Sequence, residues 1–305
     1  MAKQRSRRST KSQSLLNRSM IRKGFSAAWG RFLAELDAAQ SDLCDSSIWP
    51  PDVCYFRGQP DASRPLIPSL YRHEKFTELR KGKREDLDEF FWQLESDLFF
   101  EFNARAREAH SGNLSSWDVL FTMQHHGVPT RLLDWTETFA VALYFAVIGN
   151  ETSPGAQRCI WILNPFRLNA KSRKHDISPG RADLIDPKNL GWDGDEYFTY
   201  DEILTEDGNF DFQVPTAIYP ELKSDRIQAQ RGSFTIWGDE YESLDALFPP
   251  DEKQKVLRRV VIDDAAIEDA RRFLGLAGID QHLLFPDLTG LATWLRRKNG
   301  FEPMW

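Results

Sequence analysis

The stretch MQHHGVPTRLLDWTETFAVALYFAV, residues 123–147, combines the most apolar run of the chain with a cluster of functional side-chain types. Two histidines, an arginine, an aspartate and a tryptophan come shortly before ten residues, 139–148, whose one polar side chain belongs to a tyrosine. A core helix has no need of charge and imidazole where it begins. We therefore predict that this stretch forms one wall of a ligand site, and that YFRGQP, residues 55–60, forms another.

The elements on either side are read from apolar spacing and helix-capping residues. Ser115 or Ser116 is expected to cap a helix that Gly127 follows, and VPTRLLDW, residues 128–135, is expected to be an irregular crossing. Helices are predicted over residues 25–43, 85–110, 116–126, 136–148, 263–278 and 285–298. Strands are predicted over residues 53–59, 158–164, 214–220, 233–238 and 255–262. This pattern favours an α+β fold with mixed short-stranded sheets flanked by helices.

Charge is spread unevenly along the chain. Residues 1–24 hold eight of the 39 Lys and Arg residues and none of the 46 Asp and Glu residues. We divide the chain into a basic disordered arm (1–22), an N-terminal helix (23–48) and one large domain (49–300). A basic arm on an acidic body suggests contact with nucleic acid, an anionic surface or a protein target, and a solubilising tail is the alternative.

The cysteines and the apolar runs bear on the compartment. Cys44, Cys54 and Cys159 form no CxxC pair and cannot all pair with one another, which fits a reduced cytoplasm. The longest apolar run has ten residues, about half of what a membrane-spanning helix needs. No secretory signal follows the basic start. We expect a soluble cytoplasmic protein without a membrane partner.

A predicted strand arginine is the first candidate for ligand binding. Arg57 would present a fork of donors that suits a phosphate or a carboxylate, beside Gly58 and Gln59 and a backbone without a Cβ. The alternative is a buried arginine that pairs with a carboxylate of the core. The tripeptide alone leaves both interpretations open.

The opening stretch supplies the next candidates. His125 and His126 point about 100° apart on a helix, and no HExxH motif or second Cys/His cluster accompanies them, so no metal site is expected. Either imidazole could face a cleft or cap the helix. The remaining polar and aromatic candidates in this region are Thr130, Arg131, Asp134, Trp135 and Tyr144. Arg131 and Asp134 could instead form an ion pair that only stabilises the fold.

A third segment, RIQAQRGSFTIW (226–237), brings Gln228 and Gln230 just before a strand. Their amides can orient a ligand but cannot act as ionised bases. Glu240 and Glu242 follow the strand and are interpreted as a solvated turn in preference to a catalytic pair. The chain has no GxGxxG after a strand, no Walker A motif, no GxSxG and no HExxH, so the commonest nucleotide-binding and hydrolase signatures are missing.

Taken in order, YFRGQP, LIPSLYR, MQHHGVPTRLLDWT with ALYFA, IQAQRGSFT and LFPDLTGLA resemble the FRG domain family. The resemblance covers about residues 50–295, and the triplet Phe56, Arg57, Gly58 matches the motif that names the family. It implies a bacterial setting with a role in phage defence or as a toxin-like effector. It implies no established reaction.

A more distant likeness connects the same segments to ADP-ribosyltransferases. Such enzymes carry an aromatic-Arg-Gly on a core strand, where Arg57 stands here, and a Ser/Thr segment before a helix, where Thr130 stands. This likeness implies an ADP-ribosyltransferase-like core and NAD as cofactor. The chain departs from the pattern at the expected glutamate, where it has Gln228 and Gln230, so a carboxylate would have to come from Asp134, Glu240 or Glu242.

Three functions follow as hypotheses. The first is a nucleotide-binding enzyme, with NAD-dependent ADP-ribosyl transfer or NAD cleavage as its concrete form. In it Arg57 clamps phosphate, and His125 or His126 orients the ligand together with Gln230. Trp135 or Tyr144 packs on a ring, and Asp134 supplies the acid, base or electrostatic group. The second is a metal-independent enzyme or binder of nucleic acid that uses the basic arm. The third is a non-enzymatic sensor of a small ligand or a phage protein.

Overall fold

A computed structural model describes residues 24–44, 53–106, 115–148, 155–172, 199–205, 214–220 and 224–301. The predicted basic arm lies outside these ranges. Within them, the described strands form one six-stranded sheet in the order β4-β5-β2-β1-β3-β6. The strands are β1 (Tyr55–Gln59), β2 (Leu132–Thr136), β3 (Arg158–Leu163), β4 (Thr216–Ile218), β5 (Gly232–Ile236) and β6 (Leu257–Ile262).

Helices cover the sheet and connect its strands. The described helices are α1 (Ala27–Leu43), α2 (Phe76–Leu79), α3 (Arg84–Ala106), α4 (Ser116–His125), α5 (Phe139–Ile148), α6 (Pro165–Ser172), α7 (Tyr200–Thr205), α8 (Asp225–Gln230), α9 (Pro250–Val256), α10 (Ile267–Ala277), α11 (Gln281–Leu284) and α12 (Leu288–Lys298). Single 3₁₀ turns occupy Leu70–Arg72 and Asp264–Ala266. The predicted α+β class is confirmed.

The sheet differs from the expected mixed sheets because every pairing between described strands is antiparallel. β1 lies in the middle, between β2 and β3. On one side Phe56 pairs with Thr136 of β2, and on the other Arg57 pairs with Trp161 of β3. The middle of a sheet has neighbours on both sides, so side chains on β1 are held firmly in place.

Both faces of the sheet are buried, which explains why strands such as RCIWIL read as continuous apolar runs. Along β3, Ile160 and Ile162 belong to a core cluster with α1, α5 and α10. Cys159 and Trp161 alternate with them and belong to the opposite cluster, which packs under α3. Alternation of side chains is the ordinary geometry of a strand, and here it divides the apolar residues between two cores.

The segment predicted as an irregular crossing is a strand for most of its length. Leu132–Thr136 forms β2 and pairs with β5 over five residues, including Asp134 opposite Phe234. The period-two signal was hidden because Leu132 and Leu133 are both buried, each in a different cluster. Apolar residues on two faces remove the polar-apolar alternation that would have revealed the strand.

Helices α4 and α5 follow the predicted capping signals. Ser115 caps α4: its hydroxyl accepts from the backbone N–H of Asp118, whose carboxylate accepts from Ser115 in return. Gly127 follows with φ +77°, a left-handed conformation that favours glycine. α5 ends at Ile148 as expected and begins at Phe139. Of the described helices, none combines the length and the apolar character needed to cross a bilayer.

Close contact between α5 and β1 explains Gly58. A Cβ built on Gly58 would lie 1.8 Å from the carbonyl oxygen of Ala142 and 2.7 Å from the backbone nitrogen of Ala146. Only a residue without a side chain lets the helix backbone come this near. The glycine therefore serves helix packing, a role that the expectation of an unshielded ligand-facing backbone did not include.

Cys44, just after α1, and Cys54, just before β1, form a disulfide. Cys159 is buried and carries a free thiol. The sequence offered no reason to pair the first two cysteines, because the ten positions that separate them say nothing about their distance in the fold. The pair joins α1 to the strand that carries Arg57.

Candidate functional site

A cavity of about 270 Å³ opens where β1 and β2 meet α5 and α8. Its polar side is formed by Arg57, Gln124, Asp134, Arg226 and Gln230. These residues come from β1, α4, β2 and α8, so the three sequence segments that were expected to converge do so. The cavity is a candidate binding site of the chain.

An apolar wall faces this polar side. Val141, Ala142 and Phe145 on α5 line it together with Phe56 and Trp135 from the strands. The indole nitrogen of Trp135 is buried and donates to the hydroxyl of Thr235 at 3.0 Å. The combination of one apolar wall with a few convergent polar groups is typical of small-molecule sites.

Arg57 lines the cavity, and its side chain is 19 % exposed. Its Nη1 donates to the carbonyl oxygen of Asp134 at 2.7 Å and lies 3.7 Å from the carboxylate oxygen Oδ2. Its Nε is buried and has no hydrogen-bond partner within the described part of the chain. Burial lowers the pKa of Arg57, against an opposing effect of Asp134, but a guanidinium keeps its charge at neutral pH.

A chain of hydrogen bonds orients the carboxylate of Asp134. The Nε2 of Gln124 donates to Asp134 Oδ2 at 2.9 Å, and the Oε1 of Gln124 accepts from the hydroxyl of Thr130 at 2.5 Å. The Thr130 hydroxyl in turn accepts from the backbone N–H of Leu132 at 3.1 Å. Both the nitrogen and the oxygen of the Gln124 side-chain amide thus have a hydrogen-bond partner. The Asp134 side chain remains 57 % exposed, so it is accessible from the cavity.

Arg226 supplies a second guanidinium. Its Nη1 donates to the carbonyl oxygen of His125 at 2.8 Å, and its guanidinium carbon lies 4.6 Å from the ring centre of Phe285. Burial lowers the pKa of Arg226, while Asp134 and Asp287 act in the opposite direction. The contact with Phe285 is a cation–π interaction that holds the side chain in place.

Gln230 lines the cavity next to this arginine. Its side-chain Nε2 donates to the backbone carbonyl oxygen of Leu284 at 3.0 Å. The backbone carbonyl oxygen of Gln230 accepts from the hydroxyl of Thr136 at 2.6 Å. Arg231 follows with φ +44°, a left-handed turn that lets β5 begin at once after α8. The side-chain amide is therefore held by the last residue of α11.

The two histidines stand beside the cavity, and neither is among its lining residues. His125 Nδ1 lies 3.2 Å from the hydroxyl oxygen of Ser224. Burial lowers the pKa of His125, and Arg226 and His126 lower it further. His126 follows the end of α4, where its ring centre lies 4.7 Å from that of His125. His125 is thus one residue away from the lining residue Gln124, on another side of the helix.

Arg131 is buried and does not line the cavity. It is 8 % exposed and its Nε donates to Glu95 at 2.7 and 2.9 Å, while Nη1 donates to the carbonyl oxygen of Trp237 at 3.0 Å. The hydroxyl of Tyr200 also donates to Glu95. The open alternative of an Arg131–Asp134 pair is wrong, because Arg131 pairs with Glu95 and Asp134 pairs with Arg57.

Gln59 and Tyr144 also turn inward. Gln59 is 5 % exposed and its Oε1 accepts from the indole nitrogen of Trp161 at 2.6 Å. Tyr144 is buried and its hydroxyl donates to Gln281; burial raises its pKa. Neither residue lines the cavity. Their polar atoms instead satisfy buried partners, which is the usual reason for a polar atom in a core.

Glu240 and Glu242 do not line the cavity. Glu240 accepts from the backbone N–H groups of Tyr241 and Glu242, both at 2.8 Å, and Glu242 forms an ion pair with Arg80. This agrees with the interpretation of GDEYES as a turn. Among the described residues that line the cavity, Asp134 is the one carboxylate. No cluster of three or more His, Cys, Asp or Glu side chains suited to a metal ion occurs within the described ranges.

Residues 52–154 match the model of the FRG domain. The chain carries an FRG domain. Comparison with curated proteins and with solved structures gave no match. The FRG match is shorter than the resemblance expected from the motifs, and the wider domain bounds 49–300 stay a prediction.

The FRG segment contributes most of the residues that line the cavity. β1, α4, β2 and α5 lie within the matched range and bring Arg57, Gln124 and Asp134. Arg226 and Gln230 come from α8, beyond the end of the match. The cavity thus depends on chain that the FRG model does not reach.

Sequence reasoning missed Gln124 and Arg226. Both stand inside motifs that had been singled out, MQHH and RIQAQRG, beside the residues that were chosen. A helix places adjacent residues about 100° apart, so the choice between Gln124 and His125 required knowledge of which face of α4 meets β2. The sequence showed the two motifs, but it did not show which residue of each motif faces the cavity.

Proposed function

We propose that the cavity binds a phosphorylated nucleotide and that Asp134 acts on it, with NAD cleavage or ADP-ribosyl transfer as the reaction. The observation that carries this proposal is the meeting of Arg57, Arg226 and Asp134 around one small cavity with an apolar wall. A phosphate would occupy the arginine side, and a planar ring would pack on the wall.

Charge supports an anionic ligand. Two guanidinium groups and one carboxylate line the cavity, so the cationic charge exceeds the anionic charge by one. Part of the Arg57 side chain is exposed and lines the cavity, so its guanidinium can donate to the oxygens of a bound phosphate. Arginine is the residue best suited to this task because its fork matches two phosphate oxygens.

Size supports one nucleotide unit. The cavity holds about 270 Å³, close to the lower end of the range of about 300–1,000 Å³ that is common for small-molecule pockets. A dinucleotide would place one half inside and leave the other half outside the cavity. For NAD, the half inside would be the nicotinamide ribose, since the reaction occurs there.

The chemistry assigned to Asp134 is electrostatic. When the bond between ribose C1 and the nicotinamide nitrogen breaks, the electron pair leaves with nicotinamide and positive charge develops on the ribose. A carboxylate at this position stabilises that charge in the transition state. In NAD cleavage, water then attacks C1 and releases a proton to solvent. In ADP-ribosyl transfer, a hydroxyl or amine of a target attacks C1 and releases a proton, or a carboxylate of a target attacks without releasing one.

The test is incubation of the full chain with NAD labelled separately in the adenine and nicotinamide parts. We expect release of nicotinamide, loss of this release in Asp134→Asn, and weaker NAD binding in Arg57→Lys, which keeps the charge but loses the fork. Asp37→Asn and Arg31→Lys, both at exposed positions of α1, are the matched controls. Absence of nicotinamide release and of label transfer, with equal NAD binding by Arg57→Lys and wild type, would overturn the proposal.

A non-enzymatic sensor is the second candidate, and one observation favours it. Neither histidine lines the cavity, so the described site contains no imidazole as acid or base. In this version the same residues bind a nucleotide without turnover. Saturable nucleotide binding that Arg57→Lys weakens, together with unchanged NAD after long incubation, would decide for the sensor. NAD consumption would instead fit the toxin-like or defence role that the family resemblance implies.

A further inference from the structure

We infer that the ligand of this cavity presents a ribose with its 2- and 3-hydroxyl groups free, and that Asp134 accepts hydrogen bonds from this diol. The inference rests on the proposed nucleotide function and narrows it to ribonucleotides with an unmodified ribose. It comes from the distribution of partners over the two oxygens of a single carboxylate.

The two carboxylate oxygens of Asp134 have unequal surroundings. Oδ2 accepts from Gln124 Nε2 at 2.9 Å and lies 3.7 Å from Arg57 Nη1. Oδ1 makes no hydrogen bond to any residue that the structure describes, although an ionised carboxylate offers about four acceptor sites. The oxygen with free acceptor capacity belongs to a side chain that lines the cavity and is 57 % exposed. A ligand group that meets it must be a donor.

A carboxylate in an anion site selects against a bare anion. Arg57 and Arg226 attract phosphate, whereas Asp134 repels it from the same cavity. Inorganic phosphate at neutral pH would bring charge and few donors. A phosphate ester of a sugar separates the two functions, because its phosphate can contact the arginines and its hydroxyl groups can donate to Asp134.

Gln124 makes the arrangement specific. Its amide is oriented by Thr130, so that Nε2 is committed to Asp134 Oδ2 and Oε1 is committed to the Thr130 hydroxyl. The carboxylate plane is thereby held before a ligand arrives, which lowers the entropy lost on binding. Two neighbouring hydroxyl groups match a fixed carboxylate better than one, and acidic residues that bind ribose hydroxyls in dinucleotide sites use the same chemistry.

The test compares ligands that differ by one hydroxyl. Ribose 5-phosphate, 2-deoxyribose 5-phosphate and inorganic phosphate are titrated calorimetrically into the full chain at one salt concentration. Because a hydrogen bond to a charged group contributes about 1.5–3 kcal/mol, we expect the ribose compound to bind roughly ten- to hundredfold more tightly than the deoxy compound.

The variant Asp134→Asn supplies a readout that a structural role would not give. Asp134→Asn should bind ribose 5-phosphate more weakly and reduce the difference in affinity between the ribose and deoxyribose compounds. It should bind inorganic phosphate more tightly, because a repelling charge is gone. Asp37→Asn should leave all three affinities unchanged. A general loss of structure would weaken the binding of every ligand. It cannot therefore explain opposite changes in the affinities for sugar phosphate and inorganic phosphate.

The outcomes separate the two proposals. Equal affinity of wild type for the ribose and deoxyribose compounds would overturn the diol inference and leave nucleotide binding standing. Weaker binding of inorganic phosphate by Asp134→Asn would also overturn the inference. Absence of binding for every phosphate ester, NAD included, would overturn the proposed function and the inference with it.

Discussion

Arg57 and Asp134 lie side by side on the adjacent strands β1 and β2, where Arg57 Nη1 donates to the backbone carbonyl of Asp134 and stays 3.7 Å from its carboxylate. The shorter contact goes to the backbone, at 2.7 Å. The guanidinium is therefore held by the strand itself, so a ligand can bind the Asp134 carboxylate without releasing Arg57.

Gln124→Leu should loosen the carboxylate of Asp134 and weaken ligand binding. The variant removes the donor to Oδ2 and leaves the Thr130 hydroxyl without its acceptor. We expect about a tenfold loss of affinity for ribose 5-phosphate, since a hydrogen bond to a charged group is lost. Calorimetric titration measures the effect. Gln93→Leu on the exposed face of α3 is the control, and unchanged affinity in Gln124→Leu would refute the positioning role.

Gly58→Ala should destabilise the fold. The new Cβ meets backbone atoms of α5, which cannot rotate away, so the helix must move from β1. Overpacking of this kind costs about 1–3 kcal/mol or more. Gly30→Ala on α1 is the matched control: a Cβ there meets nothing within 4 Å and should stabilise the helix by about 0.5–1 kcal/mol. Urea denaturation measures the free energy of unfolding, which should fall in Gly58→Ala and rise in Gly30→Ala. Equal changes in the two variants would contradict the packing argument.

Arg131→Met should lower the free energy of unfolding by about 3–5 kcal/mol, because it leaves the Glu95 carboxylate buried without its partner. The double variant Arg131→Met with Glu95→Leu should recover much of this loss. Arg105→Met, which breaks an exposed pair with Glu101 on α3, should change stability little. Guanidinium denaturation is the measurement, and a double variant no more stable than the single one would speak against an uncompensated charge.

Stability should fall as the pH drops from 7 to 5, with His125 as one cause. Burial, Arg226 and His126 lower the pKa of His125 in the folded protein, whereas the unfolded value is about 6.5. Below pH 6.5 the unfolded chain therefore binds more protons than the folded chain, so the free energy of unfolding decreases with falling pH. The decrease ends below the folded pKa.

His125→Gln should reduce this pH dependence, and chemical denaturation at several pH values will show it. The exposed His282, changed in the same way, is the control. Parallel stability–pH curves for wild type and His125→Gln would exclude the contribution of His125.

Much of the fold follows from local signals. A cap at Ser115 or Ser116, a glycine at position 127 just after the helix, and the end of α5 at Ile148 were predicted from residue types, because each depends on neighbours within one turn. β2 was missed because its apolar residues face two cores. The disulfide between Cys44 and Cys54 was missed because chain separation does not measure distance in space.

By itself, the amino-acid sequence determined which segments carry the cavity, since residue type and spacing already indicated Arg57, Asp134 and the RIQAQRG segment as polar groups beside an apolar helix. Only the tertiary structure decided which of their neighbours share the cavity. Arg131 and Gln59 turned to buried partners, and Gln124 and Arg226 took the places expected for the histidines. The physical reason is that the direction of a side chain depends on strand register and on the rotation of each helix, and packing against distant segments sets both.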